Sequence, residues 1–139
     1  MILLDTNVLS ELMRPAPDPR VLEWLDGHPA DEVWISAVTV GEIRLGIEML
    51  PDGKRRQRLA GLADDMFQTE FGNRCLPYDM LAAAEYGSIV AARSRVGRPV
   101  SVEDAQIAAI ARSAGLTLAT RNVSDFDGID GLPVVNPWD

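Results

Sequence analysis

The chain has 139 residues, 47% hydrophobic and 24% charged, which fits one domain and excludes a disordered tail, a collagen-like repeat and a small disulfide scaffold. Its 21 acidic residues outnumber 13 basic ones, so the net charge of −8 does not attract nucleic acid, and such a substrate would need local arginines or metal ions. The single Cys and single His exclude an intrachain disulfide and a histidine pair. Because no leader and no apolar run of about 18 residues is visible, we expect a cytoplasmic protein with no membrane association.

Short apolar runs alternate with stretches in which apolar residues recur at helical spacing. In chain order, the predicted elements are a strand at Ile2–Leu4, a helix over Val8–Met13, a helix from Asp18 to Gly27, a strand at Val33–Ser36, a helix from near Thr39 to Leu50, a helix from Lys54 to Met66, a strand at Cys75–Tyr78, a helix from Asp79 to about Val96, a helix from Ser101 to Ala111, and strands at Leu116–Ala119 and Pro133–Val135. The polar stretch 124–131 is predicted to be a loop. This alternation predicts an α/β fold in which residues 1–139 form a single domain, with a short, mostly parallel central sheet flanked by helices.

Acidic and amide side chains fall next to the ends of the predicted strands. Asp5 directly follows the first strand, and Glu42 lies in the first turn of the helix after the second strand. Asp104 lies in the first turn of the helix before the fourth strand, and Asn122 and Asp125 follow that strand. Because ligands of open α/β sheets bind outside the carboxyl ends of the strands, we expect these side chains to converge there.

Carboxylates that crowd together repel each other unless they are protonated or bridged by a cation. Mg²⁺ or Mn²⁺, which prefer carboxylate and water oxygens, is the natural bridge. Such an ion can activate water and neutralise a phosphodiester during in-line attack. With one His and one Cys, a carboxylate-held metal is the only strong hydrolytic chemistry that these groups can assemble.

The same acids also have a purely structural interpretation. Thr39 with Glu42, and Ser101 with Asp104, have the spacing of a helix capping box, in which the acid satisfies a backbone N–H. Asn7 can likewise be a helix N-cap. The sequence alone therefore leaves both interpretations open.

Two other classes of function are also open. An aspartate-based phosphotransferase places an acid after its first strand, but it needs a lysine for the phosphate, and Lys54 lies on an arginine-rich helix away from the strand ends. In a non-catalytic binding module, the acids would serve only as caps. The basic runs 54–58 and 93–98 are most simply solvated or dipole-complementing helix segments, with RNA contact as the alternative.

Several segments together resemble a known family, the PIN-domain ribonucleases, and more narrowly the VapC-type toxins of bacterial toxin–antitoxin pairs, including their FitB-like branch. The segments that carry the resemblance are Ile2–Ser10 (ILLDTNVLS), Ser36–Gly46 (SAVTVGEIRLG), Asp104–Ala111 (DAQIAAIA), Ala119–Asn122 (ATRN) and Asn136–Trp138 (NPW). Together they cover nearly the whole chain in the family's order.

The resemblance implies a metal-dependent endoribonuclease, of toxin or non-toxin type, that uses Mg²⁺ or Mn²⁺. The residues it assigns are Asp5, Glu42 and Asp104 as catalytic metal ligands, Asn122 as a possible fourth ligand, and Thr6, Asn7 and Thr120 as hydrogen-bonding support. Many relatives have an acid where this chain has Asn122, so Asp125, otherwise a solvated loop acid, is the alternative fourth ligand. The resemblance further implies an RNA substrate, a homodimer and a small DNA-binding antitoxin whose tail enters the active site.

Overall fold

Five short parallel strands form the centre of the fold. The computed structural model describes all 139 residues. The strands are β1 (Ile2–Leu4), β2 (Val33–Ser36), β3 (Cys75–Leu76), β4 (Thr117–Ala119) and β5 (Val134–Val135), in the spatial order β3-β2-β1-β4-β5. Every neighbouring pair is parallel, which confirms the predicted α/β class.

Seven α-helices flank this sheet. They are α1 (Thr6–Leu12), α2 (Pro19–Asp26), α3 (Ala37–Glu48), α4 (Lys54–Asp65), α5 (Met80–Arg95), α6 (Val102–Ala114) and α7 (Val123–Phe126). A 3₁₀ turn at Ala30–Glu32 precedes β2, and a π-helical turn at Met66–Glu70 extends α4. None of the helices is both long enough and apolar enough to cross a membrane.

Strand β1 lies in the middle of the sheet and is fully enclosed. Its Ile2 pairs with Val33 on one side and with Thr117 on the other. The side chains of Ile2 and Leu4 belong to the core on one face, and Leu3 belongs to the core on the opposite face, as the two-residue period of a strand requires. The residue that follows β1 therefore emerges where the ends of β2 and β4 meet.

The structure corrects several predicted boundaries. Helix α1 begins at Thr6 rather than Val8, because Asp5 is its N-cap, and α3 begins at Ala37 rather than Thr39, because Ser36 is its N-cap. Strand β3 ends at Leu76 rather than Tyr78.

The predicted loop 124–131 is wrong in part, because it overlaps the one-turn helix α7. The ring of Phe126 is buried in the core beside α6 and draws this polar segment against the body of the domain.

Candidate functional site

Asp5 lies at the centre of the site, directly after β1. Its side chain is only 4% exposed. One carboxylate oxygen, Oδ1, accepts the backbone N–H of Thr6 at 2.8 Å, and the other, Oδ2, accepts the Thr120 hydroxyl at 2.7 Å. Its own backbone N–H donates to the carbonyl of Ala119 at 2.9 Å. The Asp5 carboxylate is thus fixed between the start of α1 and the end of β4.

Asn7 connects these two segments and does not cap the helix. Its Nδ2 donates to Thr120 Oγ1 at 3.2 Å and lies 3.5 Å from Asp5 Oδ2. Its Oδ1 accepts the backbone N–H of Arg121 at 3.2 Å, while the Asn122 N–H donates to Thr120 Oγ1 at 3.1 Å. The N-cap interpretation of Asn7 is wrong, because Asp5 holds that position. Thr120, Asn7 and Thr6 all hold Asp5 in place.

Glu42 lies one turn into α3 and faces the same place. Its Oε1 accepts the Thr6 hydroxyl at 2.6 Å, and the same hydroxyl lies 3.1 Å from Thr39 Oγ1. The N-cap of α3 is Ser36, whose Oγ accepts the Thr39 N–H at 3.1 Å. The capping-box interpretation of Glu42 is therefore wrong, and Thr6 links its carboxylate to the Asp5 side of the site.

Asp104 reaches the site from the first turn of α6 and is partly buried. Ser101 caps this helix as predicted, with its Oγ accepting the Asp104 backbone N–H at 3.2 Å. No hydrogen bond joins the Asp104 carboxylate to a backbone N–H. Burial raises the pKa of Asp104, and the charges of Asp125 and Glu42 raise it further.

These side chains line one open cleft of about 510 Å³. The residues around it are Asp5, Thr6, Asn7, Ser10, Glu11, Arg14, Glu42, Asp104, Arg121, Asn122 and Trp138. Burial raises the pKa of Asp5 from 3.8 to about 6, and the charges of Asp104 and Glu42 add to this effect. The structure therefore brings the three predicted acids and Asn122 together. Asp125 does not line the cleft, although its charge reaches Asp104.

The chemistry of these donors fits a hard divalent cation. All are oxygen ligands of the type that Mg²⁺ and Mn²⁺ prefer, and burial together with the charges of Asp104 and Glu42 raises the pKa of Asp5. Each Asp5 oxygen accepts one strong hydrogen bond and keeps capacity for a further partner. No group of three or more His, Cys, Asp or Glu side chains is arranged to hold an ion in the structure. The acids thus face one cleft without converging on one point.

A second cavity, of about 570 Å³, adjoins the acidic cleft. It lies between α1, α3 and α4 and shares Thr6, Ser10, Arg14 and Glu42 with the cleft. Its other walls are largely aliphatic and include Ile43 and Leu59, and Arg55 and Arg58 lie at its edge. The apolar groove and the acidic cleft therefore meet along these four shared residues.

The cations of the cleft are Arg14 and Arg121, which sequence reasoning missed. It singled out the runs 54–58 and 93–98 instead, because they form clusters along the chain. Arg93 is buried, and its guanidinium donates to the backbone carbonyls of Arg98, Asp125 and Asp127. The position of Arg121 directly after Thr120 is the signal that could have identified it.

Comparison with known proteins identifies the class. The chain belongs to the PIN-domain family, whose model, described as "PIN domain", matches residues 2–132. Ribonucleases of this family generally need a divalent metal ion.

Particular relatives match over the full length. Toxin FitB of Neisseria gonorrhoeae is 41% identical over 138 residues, covering 99% of each chain. VapC ribonuclease Y4jK of Sinorhizobium fredii is 37% identical over 139 residues, covering 100% of this chain and 99% of that protein. The solved structure described as "Structure of FitAB bound to IR36 DNA fragment" superposes with a TM-score of 0.89 at 41% identity, covering 100% of this chain and 96% of that one.

Proposed function

We propose that this protein is a divalent-metal-dependent endoribonuclease and the toxin of a type II toxin–antitoxin pair. The observation that carries the proposal is a buried, hydrogen-bonded Asp5 that faces Glu42 and Asp104 in one cleft. The full-length relatives named as a toxin and as a ribonuclease support the same activity. An RNA substrate and a DNA-binding partner would both be met in the cytoplasm, which supports a cytoplasmic location in this proposal.

In this proposal Asp5, Glu42 and Asp104 hold Mg²⁺ or Mn²⁺. A bound ion of this kind supplies activation of water and neutralisation of the phosphodiester. Asp5 is the metal ligand whose position is fixed, because Thr6 and Thr120 each donate a hydrogen bond to one of its carboxylate oxygens. Burial, with a smaller contribution from the charges of Asp104 and Glu42, makes the ionised form of Asp5 unfavourable in the metal-free cleft, and a bound cation would stabilise that form.

The supporting residues have distinct tasks. Thr6 fixes Asp5 through its backbone N–H and Glu42 through its hydroxyl, so it sets the spacing of the two acids. Thr120 and Asn7 fix Asp5 from the β4 side. Asn122 lines the cleft and is the better candidate for the fourth ligand, because Asp125 lies outside it.

A partner protein would bind across the two adjoining cavities. The solved FitAB structure contains a protein complex with DNA, which supports a small DNA-binding antitoxin for this chain. The apolar groove offers the burial that such a segment needs, and its continuation into the acidic cleft lets the segment block the site. An arginine on that segment would take the place of the cation's charge among the acids.

We also expect the protein to form a homodimer. Met80 and Leu81, side by side at the start of α5, are 89% and 70% exposed, which is unusual for large apolar side chains in a stable monomer. Residues 1–139 act as a single domain in this dimer, because Trp138 near the C-terminus packs into the same core as β1. Light scattering at micromolar concentration should give twice the monomer mass, and a monomer alone would contradict the dimer.

RNA cleavage tests the proposed activity. The wild-type protein should cleave single-stranded or looped RNA in millimolar Mg²⁺ or Mn²⁺, and EDTA should abolish cleavage. Asp5→Asn should reduce the rate at least 100-fold without unfolding the protein, because Asn keeps the shape and an acceptor for the Thr6 N–H. The exposed Asp31, which lies outside the cleft, provides the matched control Asp31→Asn with wild-type activity. Cleavage that survives both EDTA and Asp5→Asn would contradict the proposed mechanism.

A further inference from the structure

Arg121 differs from the other arginines in what its side chain contacts. Of the twelve arginines, nine use their guanidinium in hydrogen bonds or ion pairs within the protein. The exceptions are Arg55, Arg95 and Arg121, and of these only Arg121 lines the acidic cleft. Its five N–H donors have no protein acceptor, although the cleft contains several carboxylates.

The guanidinium of Arg121 is nevertheless held in position. It lies over the ring of Trp138, with its central carbon 5.0 Å from the ring centroid. Trp138 is itself fixed, because its side chain is 5% exposed in the core and its backbone N–H donates to Asn136 Oδ1 at 2.9 Å. The Arg121 backbone N–H donates to Asn7 Oδ1, so both ends of the residue are positioned.

The second arginine of the cleft does not offer the same free charge. Arg14 forms an ion pair with the buried Glu11, with Nη1 3.2 Å from Oε1. Arg121 has no carboxylate within 4.0 Å and interacts with Asp18 only at longer range, so its guanidinium is the one in the cleft that no ion pair engages. A planar guanidinium stacked on an aromatic ring leaves its edge free for bidentate contact with a phosphate.

We propose that Arg121, stacked on Trp138, binds a backbone phosphate of the RNA beside the one that is cleaved. This inference rests on the proposed ribonuclease function and adds a substrate contact to it. A chain with a net charge of −8 repels RNA at long range. The Arg121 subsite supplies the local attraction that brings the strand against the acids, while Trp138 acts as a positioning residue for Arg121.

The salt dependence of RNA binding tests this subsite. Binding of a short single-stranded RNA is measured over a range of salt concentrations in the cleavage-deficient Asp5→Asn protein with Mn²⁺ present. Each phosphate contact to a single strand contributes about 0.7 to the slope of log K against log salt. Arg121→Gln should reduce the slope by about that amount and raise Kd about tenfold. The matched control Arg95→Gln removes an exposed, unpartnered arginine outside the cleft and should keep the slope of the parent.

Substitutions of Trp138 distinguish a role in positioning Arg121 from a general loss of folded structure. In the otherwise wild-type enzyme, Trp138→Leu should raise KM for RNA with little change in kcat, whereas Trp138→Phe, which keeps an aromatic face, should restore most of the affinity. Thermal unfolding identifies a temperature at which all the variants are folded. An RNA salt slope that is equal with and without Arg121 would overturn the subsite while leaving metal-dependent cleavage intact. A wild-type protein that neither binds nor cleaves RNA would overturn the subsite and the proposed function together.

Discussion

The metal-free protein should lose stability as the pH rises from about 4 to above 6, and Asp5 should cause most of that loss. Burial is the main reason that the pKa of Asp5 lies near 6 in the folded protein rather than at 3.8. Below 3.8 the carboxyl is protonated in both the folded and the unfolded chain, and the full stability is present. Between 3.8 and about 6 the unfolded chain ionises first, so each further rise in pH favours unfolding. Above about 6 the loss is complete.

The size of this loss follows from the shift in the pKa. About two pKa units at ~1.4 kcal/mol per unit give about 3 kcal/mol. Asp5 is buried, so solvent screening does not reduce the effect much. A domain of this length has an unfolding entropy on the order of 0.3 kcal/mol/K, so the loss corresponds to a fall in Tm of roughly 10 °C. That is a large part of the stability of a typical domain.

Urea unfolding in EDTA across pH 4 to 8 measures the effect when wild type is compared with Asp5→Asn. The two proteins share all other titrating groups, so the difference in their free energies of unfolding reports Asp5 together with its charge interactions with Asp104 and Glu42. That difference should move by about 3 kcal/mol in favour of Asn as the pH rises. Asp31→Asn, which removes an exposed carboxylate outside the cleft, should show no comparable trend. A pH-independent difference between wild type and Asp5→Asn would refute the reasoning.

Two further perturbations test Asp104 of the cleft and Arg93 outside it. Asp104→Ala should leave stability in EDTA unchanged or higher, because Ser101 still caps α6, while most of the stabilisation by millimolar Mn²⁺ is lost. Thermal unfolding with EDTA and with Mn²⁺ measures the metal-free stability and the stabilisation by metal. Glu103→Ala, in the same helical turn, is the control. An Asp104→Ala protein that is less stable than wild type in EDTA, but equally stabilised by Mn²⁺, would show that Asp104 serves as a helix cap. Arg93→Met should destabilise the protein by about 3 kcal/mol in urea unfolding, because three backbone carbonyls lose the buried guanidinium as their donor, and a change under 1 kcal/mol would contradict this.

The sequence predicts the sheet well, because each strand is a short apolar run between polar segments. It also predicts three acids of the cleft, since Asp5 follows the central strand and parallel strands end at one edge, but it misses the buried Glu11, which lies on α1. The helix starts are less predictable. Ser36 and Thr39 are both good N-caps by residue type, and only the backbone shows that Ser36 takes this position.

Contacts between distant segments could not be predicted. The bond from Thr120 to Asp5 joins residues 115 positions apart, and nothing local in either segment specifies it. Arg93 has the pattern of a cation near a helix C-terminus, yet its side chain turns inward to backbone carbonyls of the following segments. The runs of arginines along the chain do not supply the cations of the cleft. Those cations are Arg14 and Arg121, which come from distant parts of the sequence and meet only in the fold.

The central place of β1 has a consequence for the order of events during synthesis. Residues 2–4 are synthesised well before residues 117–119, yet the latter form β4, one of the two neighbours of β1. The hydroxyl that fixes Asp5 belongs to Thr120, so the growing chain has no complete acidic site until residue 120 has been made. Such long-range pairing also slows folding, since a large loop must close before the contacts form. A site built in this way stays incomplete in the nascent chain until residue 120 has been added and β4 has paired with β1.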